Sequence, residues 1–245
     1  MRHLFTAAAA VALAVGAQPA LAAPGVGDKV YGATVEAGVS EVEARYGRLT
    51  GDAADGEDGM VLELAHGLSD RFAAGVLIEL EREPGDKRRV EAFAVEGIAH
   101  LGRIESLGLD VAAYGEYEAV RGGRDAVETK LLLQHRRGPF DGRLNLIAAK
   151  SLRDGAPVEL AYAASVDWAA VGEFRLGLEA FGELGTAHHF APRAEHFAGP
   201  MIKTEIEHLA GGELGIEAAY LVALGASRDE TDGQARLVLE YEFRF

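Results

Sequence analysis

Five Glu-X-Glu pairs with an apolar or aromatic middle residue recur along this chain: Glu41/Glu43, Glu79/Glu81, Glu116/Glu118, Glu205/Glu207 and Glu240/Glu242. In an extended strand, residues two apart point to the same side. Each pair therefore presents two carboxylates to one face and its middle residue to the other. Carboxylates gathered at this density cannot all stay ionised unless cations, Arg/Lys or protons intervene. The chemistry on offer is attraction or binding of a cation. Other candidates are weaker. His188, His189 and His196 could ligate a metal through imidazole, but they fall on a loop with no ordered carboxylate partner evident. Asp52, Asp55, Glu57 and Asp58 form an acidic run that does not match the full calcium-loop pattern. The serines are Ser40, Ser69, Ser106, Ser151, Ser165 and Ser227. None sits in the His-x-x-Ser-Asn-Gly setting of the twelve-stranded outer-membrane phospholipases. The chain has 0 Cys, which excludes disulfides, a thiolate nucleophile and Cys-based metal centres. It carries no nucleotide fingerprint, and no cofactor is expected.

The elements that must position these carboxylates are strands. Period-2 segments separated by Gly/Asp/Pro clusters fall at Val39–Leu49, Met60–His66, Phe72–Arg82, Arg89–Ala99, Leu109–Ala119 and Val127–His135. They continue at Arg143–Lys150, Val158–Val166, Phe174–Leu184, Met201–Glu207, Leu214–Val222 and Ala235–Phe245. Arg89–Ala99 is the weakest, because its two faces are mixed. Most have one face of Leu, Val, Ile, Ala and aromatics and one face bearing carboxylates. A sandwich would turn the apolar face inward, and an outer-membrane barrel turns it out to lipid. The even strand number favours the barrel. The predicted fold is all-β: a closed antiparallel up-and-down transmembrane β-barrel of about 12 strands.

The chain has 245 residues, 49% hydrophobic and 26% charged, with Lys+Arg 24 against Asp+Glu 39 and a net charge of −15. That balance makes a poor nucleic-acid binder, because neutralising phosphates needs a basic surface. Met1-Arg2-His3, the apolar run Leu4–Ala17 and Ala20-Leu21-Ala22 read as a signal peptide over residues 1–22, cleaved after Ala22. Residues 23–38 form an N-terminal periplasmic lead-in, and 39–245 the barrel. No plug domain is visible in the sequence. The lead-in leaves no room for an autotransporter passenger or its central helix. The expected location is the bacterial cell outer membrane, with lipid as a partner.

With the N-terminus periplasmic, Gly67–Arg71, His100–Gly108, Arg137–Gly142, Asp167–Gly172 and His208–Gly212 become inside turns. The longer outside loops include Thr50–Gly59 and Gly185–Ala198, which would carry His188, His189 and His196 on a mobile tip. Phe140, Trp168, Phe174 and Phe243 gather near the periplasmic side as an aromatic girdle. Closure pairs the last strand with the first and brings Glu240 and Glu242 beside Glu41 and Glu43. Glu205, Glu207, Glu213 and Glu217 come from nearby strands at similar depth, with Arg45, Lys203 and Arg244 as counter-charges. Barrels of about eight strands are filled by side chains and those of sixteen to eighteen hold an aqueous channel. A twelve-stranded barrel lined by long side chains predicts a narrow or gated pore.

The terminal Tyr241-Glu242-Phe243-Arg244-Phe245 resembles the C-terminal signal read by the bacterial barrel-assembly machinery, which makes that machinery an expected partner through Phe245. Together with the leader, the Gly67-Leu68-Ser69-Asp70-Arg71-Phe72 turn and the Glu-X-Glu strands, it gives a chain that resembles uncharacterised proteobacterial outer-membrane β-barrels, porin-like or transporter-like. The resemblance implies a fold and a location, and it carries no catalytic residues. The expected function is a narrow, acidic-lined pore or binding site for a small cationic or neutral solute. A non-conducting structural or surface barrel and a membrane-embedded hydrolase are the alternatives.

Overall fold

A computed structural model describes residues 25–244. The predicted leader and the terminal Phe245 lie outside the described residues. Twelve strands form the chain: β1 Val39–Thr50, β2 Asp58–Ser69, β3 Phe72–Arg82, β4 Arg89–Ile104, β5 Leu109–Val120 and β6 Ala126–Arg137. The second half comprises β7 Phe140–Ser151, β8 Glu159–Val171, β9 Phe174–Thr186, β10 His189–Leu209, β11 Gly212–Gly225 and β12 Gly233–Arg244. Each pairs antiparallel with its sequence neighbours, and β1 closes on β12. Closure leaves no unpaired edge. The fold is the predicted up-and-down barrel. In register, Glu41 stands opposite Glu242 and Glu43 opposite Glu240, as strand alternation requires.

The barrel is inside out relative to a water-soluble protein. On β2, Glu63 is 4% exposed and its neighbour Leu64 is 52% exposed. Val42, Val76, Phe93, Val95, Leu178 and Ile202 are exposed in the same way on other strands. Such a continuous apolar exterior calls for lipid. Near one rim, Phe72, Phe140, Trp168 and Phe174 stand on the outside, with Phe140 directly opposite Trp168. This is the predicted aromatic belt. We call that rim, where β1 begins and β12 ends, the near rim.

Two differences from the sequence reading matter. The stretch Gly185–Ala198 is not a loop. β9 and β10 continue as one long hairpin that turns at residues 187–188. The alternation there is hidden by a bulge between Phe190 and Glu195, with Ala191 at φ 52°. The larger difference is in the lead-in. Residues 25–38 do not extend away from the barrel; they fold back into its lumen. Gly38, at φ 75°, reverses the chain at the near rim and donates its N–H to the Gly67 carbonyl at 2.8 Å. From there the segment climbs to Val26, beside Gly47 and Gly59 in the far half. Inward-facing glycines make the space. A methyl on Gly67 would lie 1.9 Å from the Glu36 carbonyl oxygen, and one on Gly59 would lie 2.9 Å from Val26 Cγ1.

Candidate functional site

The far half of the lumen is packed. Leu49, Ala54, Ile147, Ala163, Phe181, Phe197, Leu221 and Ala223 form an apolar core inside the barrel, joined by Val26 and Val30 of the lumenal segment. The near half is charged and holds a cavity of about 560 Å³ between the segment and the wall. Glu41, Glu43, Glu63, Glu96, Glu217, Glu240 and Glu242 line it.

Lys29 is the cation at the centre of this lining. Its Nζ lies 3.1 Å from Glu41 Oε1, 3.0 Å from Glu43 Oε2 and 3.6 Å from Glu63 Oε1. Arg45 closes the other side, 3.3 Å from Glu43 and 3.2 Å from Glu63, and donates to the Tyr31 hydroxyl at 3.0 Å. Tyr31 in turn donates to Glu96 at 2.9 Å, as does Tyr114 at 2.8 Å. Lys29 and Lys130 both sit over the Tyr31 ring, 4.7 and 4.6 Å from its centroid. Glu41, Glu43 and Glu63 are thus compensated by a lysine from the segment that precedes β1.

The predicted site residues separate into groups. Glu41, Glu43, Glu240 and Glu242 come together, and Glu41, Glu240 and Glu242 offer oxygens within 4.8 Å of one another. Glu213 stands opposite Glu242 on β11. Glu217 pairs with Lys203 at 2.8 Å, and Lys203 also reaches Asp167 at 3.7 Å. Arg45 pairs with Glu43 and Glu63, and Arg244 pairs with Glu36 and donates to the Ala37 carbonyl at 2.9 Å, fastening the segment at the near rim. Glu205 and Glu207 are exposed near the β10–β11 turn and stay outside the cavity. The three histidines do not converge. His188 and His189 lie at the hairpin tip, and His196 sits within β10 with Nδ1 3.2 Å from the Tyr162 hydroxyl. A second carboxylate set, Glu79, Glu116 and Glu118, lies higher in the lumen.

Lys29, Tyr31, Glu63, Glu96 and Asn145 are the residues that sequence reasoning missed. One signal pointed to them: the glycines at inward positions Gly47, Gly59 and Gly67, where alternation asks for a side chain. At the near rim Ser40 Oγ lies 2.9 Å from His66 Nδ1. Ser40 is only 3% exposed, and among the described residues the His66 ring makes no second hydrogen bond. A nucleophilic pair needs an accessible hydroxyl and an oriented ring. At the far rim, burial together with Glu230 and Glu83 raises the Glu57 carboxyl above the ordinary glutamate range.

No family model matches the chain, and no curated protein matches it in sequence. Solved structures do match in fold. The COG4313 outer membrane channel from Pseudomonas putida F1 aligns with a TM-score of 0.59 at 12% identity, over 86% of this chain and 97% of that one. The NanC porin aligns with a TM-score of 0.58 at 8% identity, over 83% and 100%. The KdgM porin aligns with a TM-score of 0.54 at 10% identity, over 84% and 99%. The chain has the fold of outer-membrane porins.

Proposed function

We propose that this chain is an outer-membrane barrel that admits a small cationic or neutral solute to an acidic lumen. The observation that carries this reading is the near-half cavity, whose lining sets eight glutamates, Glu36 of the segment among them, against Lys29, Arg136 and Arg143. A low-dielectric wall studded with carboxylates concentrates cations and repels anions. A KdgM porin structure holds a disordered oligogalacturonate. A carboxylate-bearing chain of that kind would meet like charge in this lumen. On this reading the near rim is periplasmic, residues 1–22 direct export, the outer face contacts lipid, and Phe245 engages the assembly machinery. The chain acts as a pore or receptor and not as an enzyme.

A second reading, a non-conducting barrel, draws on the lumenal segment and the apolar far half, which together fill much of the bore. Single-channel recording in planar bilayers separates the two. The pore reading expects current steps with cations favoured over anions, and weaker cation preference when Glu41, Glu240 and Glu242 are changed to Gln. Anion selectivity or an absence of conductance overturns it.

A further inference from the structure

The lumenal segment is held in the manner of a bound peptide. Its backbone, and not only its side chains, is engaged by buried polar groups of the wall. Asn145 accepts from the Tyr31 N–H at 2.8 Å and donates to the Tyr31 carbonyl at 3.0 Å, a two-point grip on one residue. Gln134 accepts from the Ala33 N–H at 3.0 Å, and His100 Nδ1 meets the Ala33 carbonyl at 2.7 Å. Arg236 donates to the Asp28 carbonyl, and Arg143 to that of Val30 at 3.5 Å. Asn145 and Gln134 are both 0% exposed. A buried amide is costly unless its hydrogen bonds are met. A wall needing only to be filled would carry apolar side chains, as Leu49, Phe181, Phe197 and Leu221 do in the far-half core. The wall along the segment carries groups that fit an extended peptide backbone, with a carboxylate cage for an ammonium and a cationic seat for an aromatic ring two residues on.

We propose that the lumen is a peptide-binding site whose resident ligand is the chain's own segment Gly25–Gly38. The site takes in trans an extended peptide with a lysine two residues before an aromatic, once the resident segment is displaced. This names a ligand class for the acidic lumen proposed above and rests on that reading for the lumen's charge, but not for conduction. A tethered ligand competes at roughly millimolar effective concentration. The native chain therefore binds an added peptide weakly, and loosening the tethered copy uncovers the site.

The test uses the full chain in detergent and a fluorescent peptide of sequence Gly-Val-Gly-Asp-Lys-Val-Tyr-Gly-Ala-Thr-Val-Glu-Ala-Gly, read by anisotropy. The double variant Lys29→Ala/Tyr31→Ala weakens the resident copy and leaves every wall residue in place. It should bind the peptide about tenfold or more tighter than the native chain, since more of it is binding-competent. A peptide with its own Lys and Tyr changed to Ala should lose that gain. A second variant, Val26→Cys/Gly59→Cys, pins the segment by a disulfide in a chain that has 0 Cys of its own. A β-carbon at Gly59 would lie 2.9 Å from Val26 Cγ1, which places the pair within disulfide reach. Its oxidised form should exclude the peptide, and reduction should restore native-level binding. Equal binding by the native chain and a double variant of native strand content overturns the proposal. So does equal binding by the oxidised and reduced disulfide forms. Absence of conductance would defeat the pore reading and leave this result standing.

Discussion

The two halves of the lumen are built on opposite principles. The far half holds a hydrophobic core enclosed by the barrel, with Phe181, Phe197, Leu49 and Leu221 packed against one another, beside the Glu79, Glu116 and Glu118 set. The near half is a charged chamber in which Lys29 and Arg45 offset Glu41, Glu43 and Glu63, and Tyr31 donates a hydrogen bond to Glu96. The same twelve strands supply both. The difference lies in what each inward position carries. Apolar inward residues hold the barrel together by exclusion of water, which is non-directional. Charged inward residues demand particular partners, and here a segment from outside the barrel wall provides them. We expect stability to reside mainly in the far half, and specificity in the near half.

That division can be broken experimentally. The largest effect is expected from Phe181→Ala in the far half. Phe181 is 1% exposed, contacts Gly25 closely and lies under the Arg236 guanidinium at 4.2 Å. Its truncation should cost about 3–5 kcal/mol in guanidinium unfolding. A loss below about 1 kcal/mol would mean that the far half is not the stabilising core. Next comes Lys29→Met in the near half, which leaves three carboxylates without their ammonium. We expect a loss of about 3 kcal/mol at pH 7, because removing one partner of a buried ion pair leaves the others uncompensated. An equal loss in a Glu41→Gln/Glu43→Gln/Glu63→Gln background would show that Lys29 acts by packing alone. The smallest effect belongs to Glu57→Gln at the far rim. A carboxyl whose folded pKa is raised favours folding below its ordinary range, and that advantage is lost as pH rises through the folded value. The substitution should therefore stabilise by about 0.5 kcal/mol at pH 7 and do nothing near pH 3. A loss of stability at pH 7 would place Glu57 among the groups that need their charge.

Much of the wall was readable in advance. Val42, Leu64 and Val76 face out and Glu41, Glu63 and Glu79 face in because a strand alternates. The pairing of Glu41 with Glu242 follows from closing an even number of strands. Reading failed where alternation is interrupted. The bulge after Phe190 disguised a strand as a loop and set three histidines together that the fold keeps apart. It failed also for Glu205 and Glu207, because period 2 gives a face but not a depth. Those two carboxylates face the expected way and fall beyond the cavity.

By itself, the sequence determined the barrel and which residues of each strand face in or out, since both follow from a local period of two. It could not determine what occupies the lumen. Residues 25–38 show no alternation, and their place depends on groups spread across the chain: Arg45 on β1, Glu96 on β4, Gln134 on β6, Asn145 on β7 and Arg236 on β12. These groups become neighbours only when the barrel closes. The tertiary structure alone gives Lys29 its three carboxylates, and with them the chamber its chemistry.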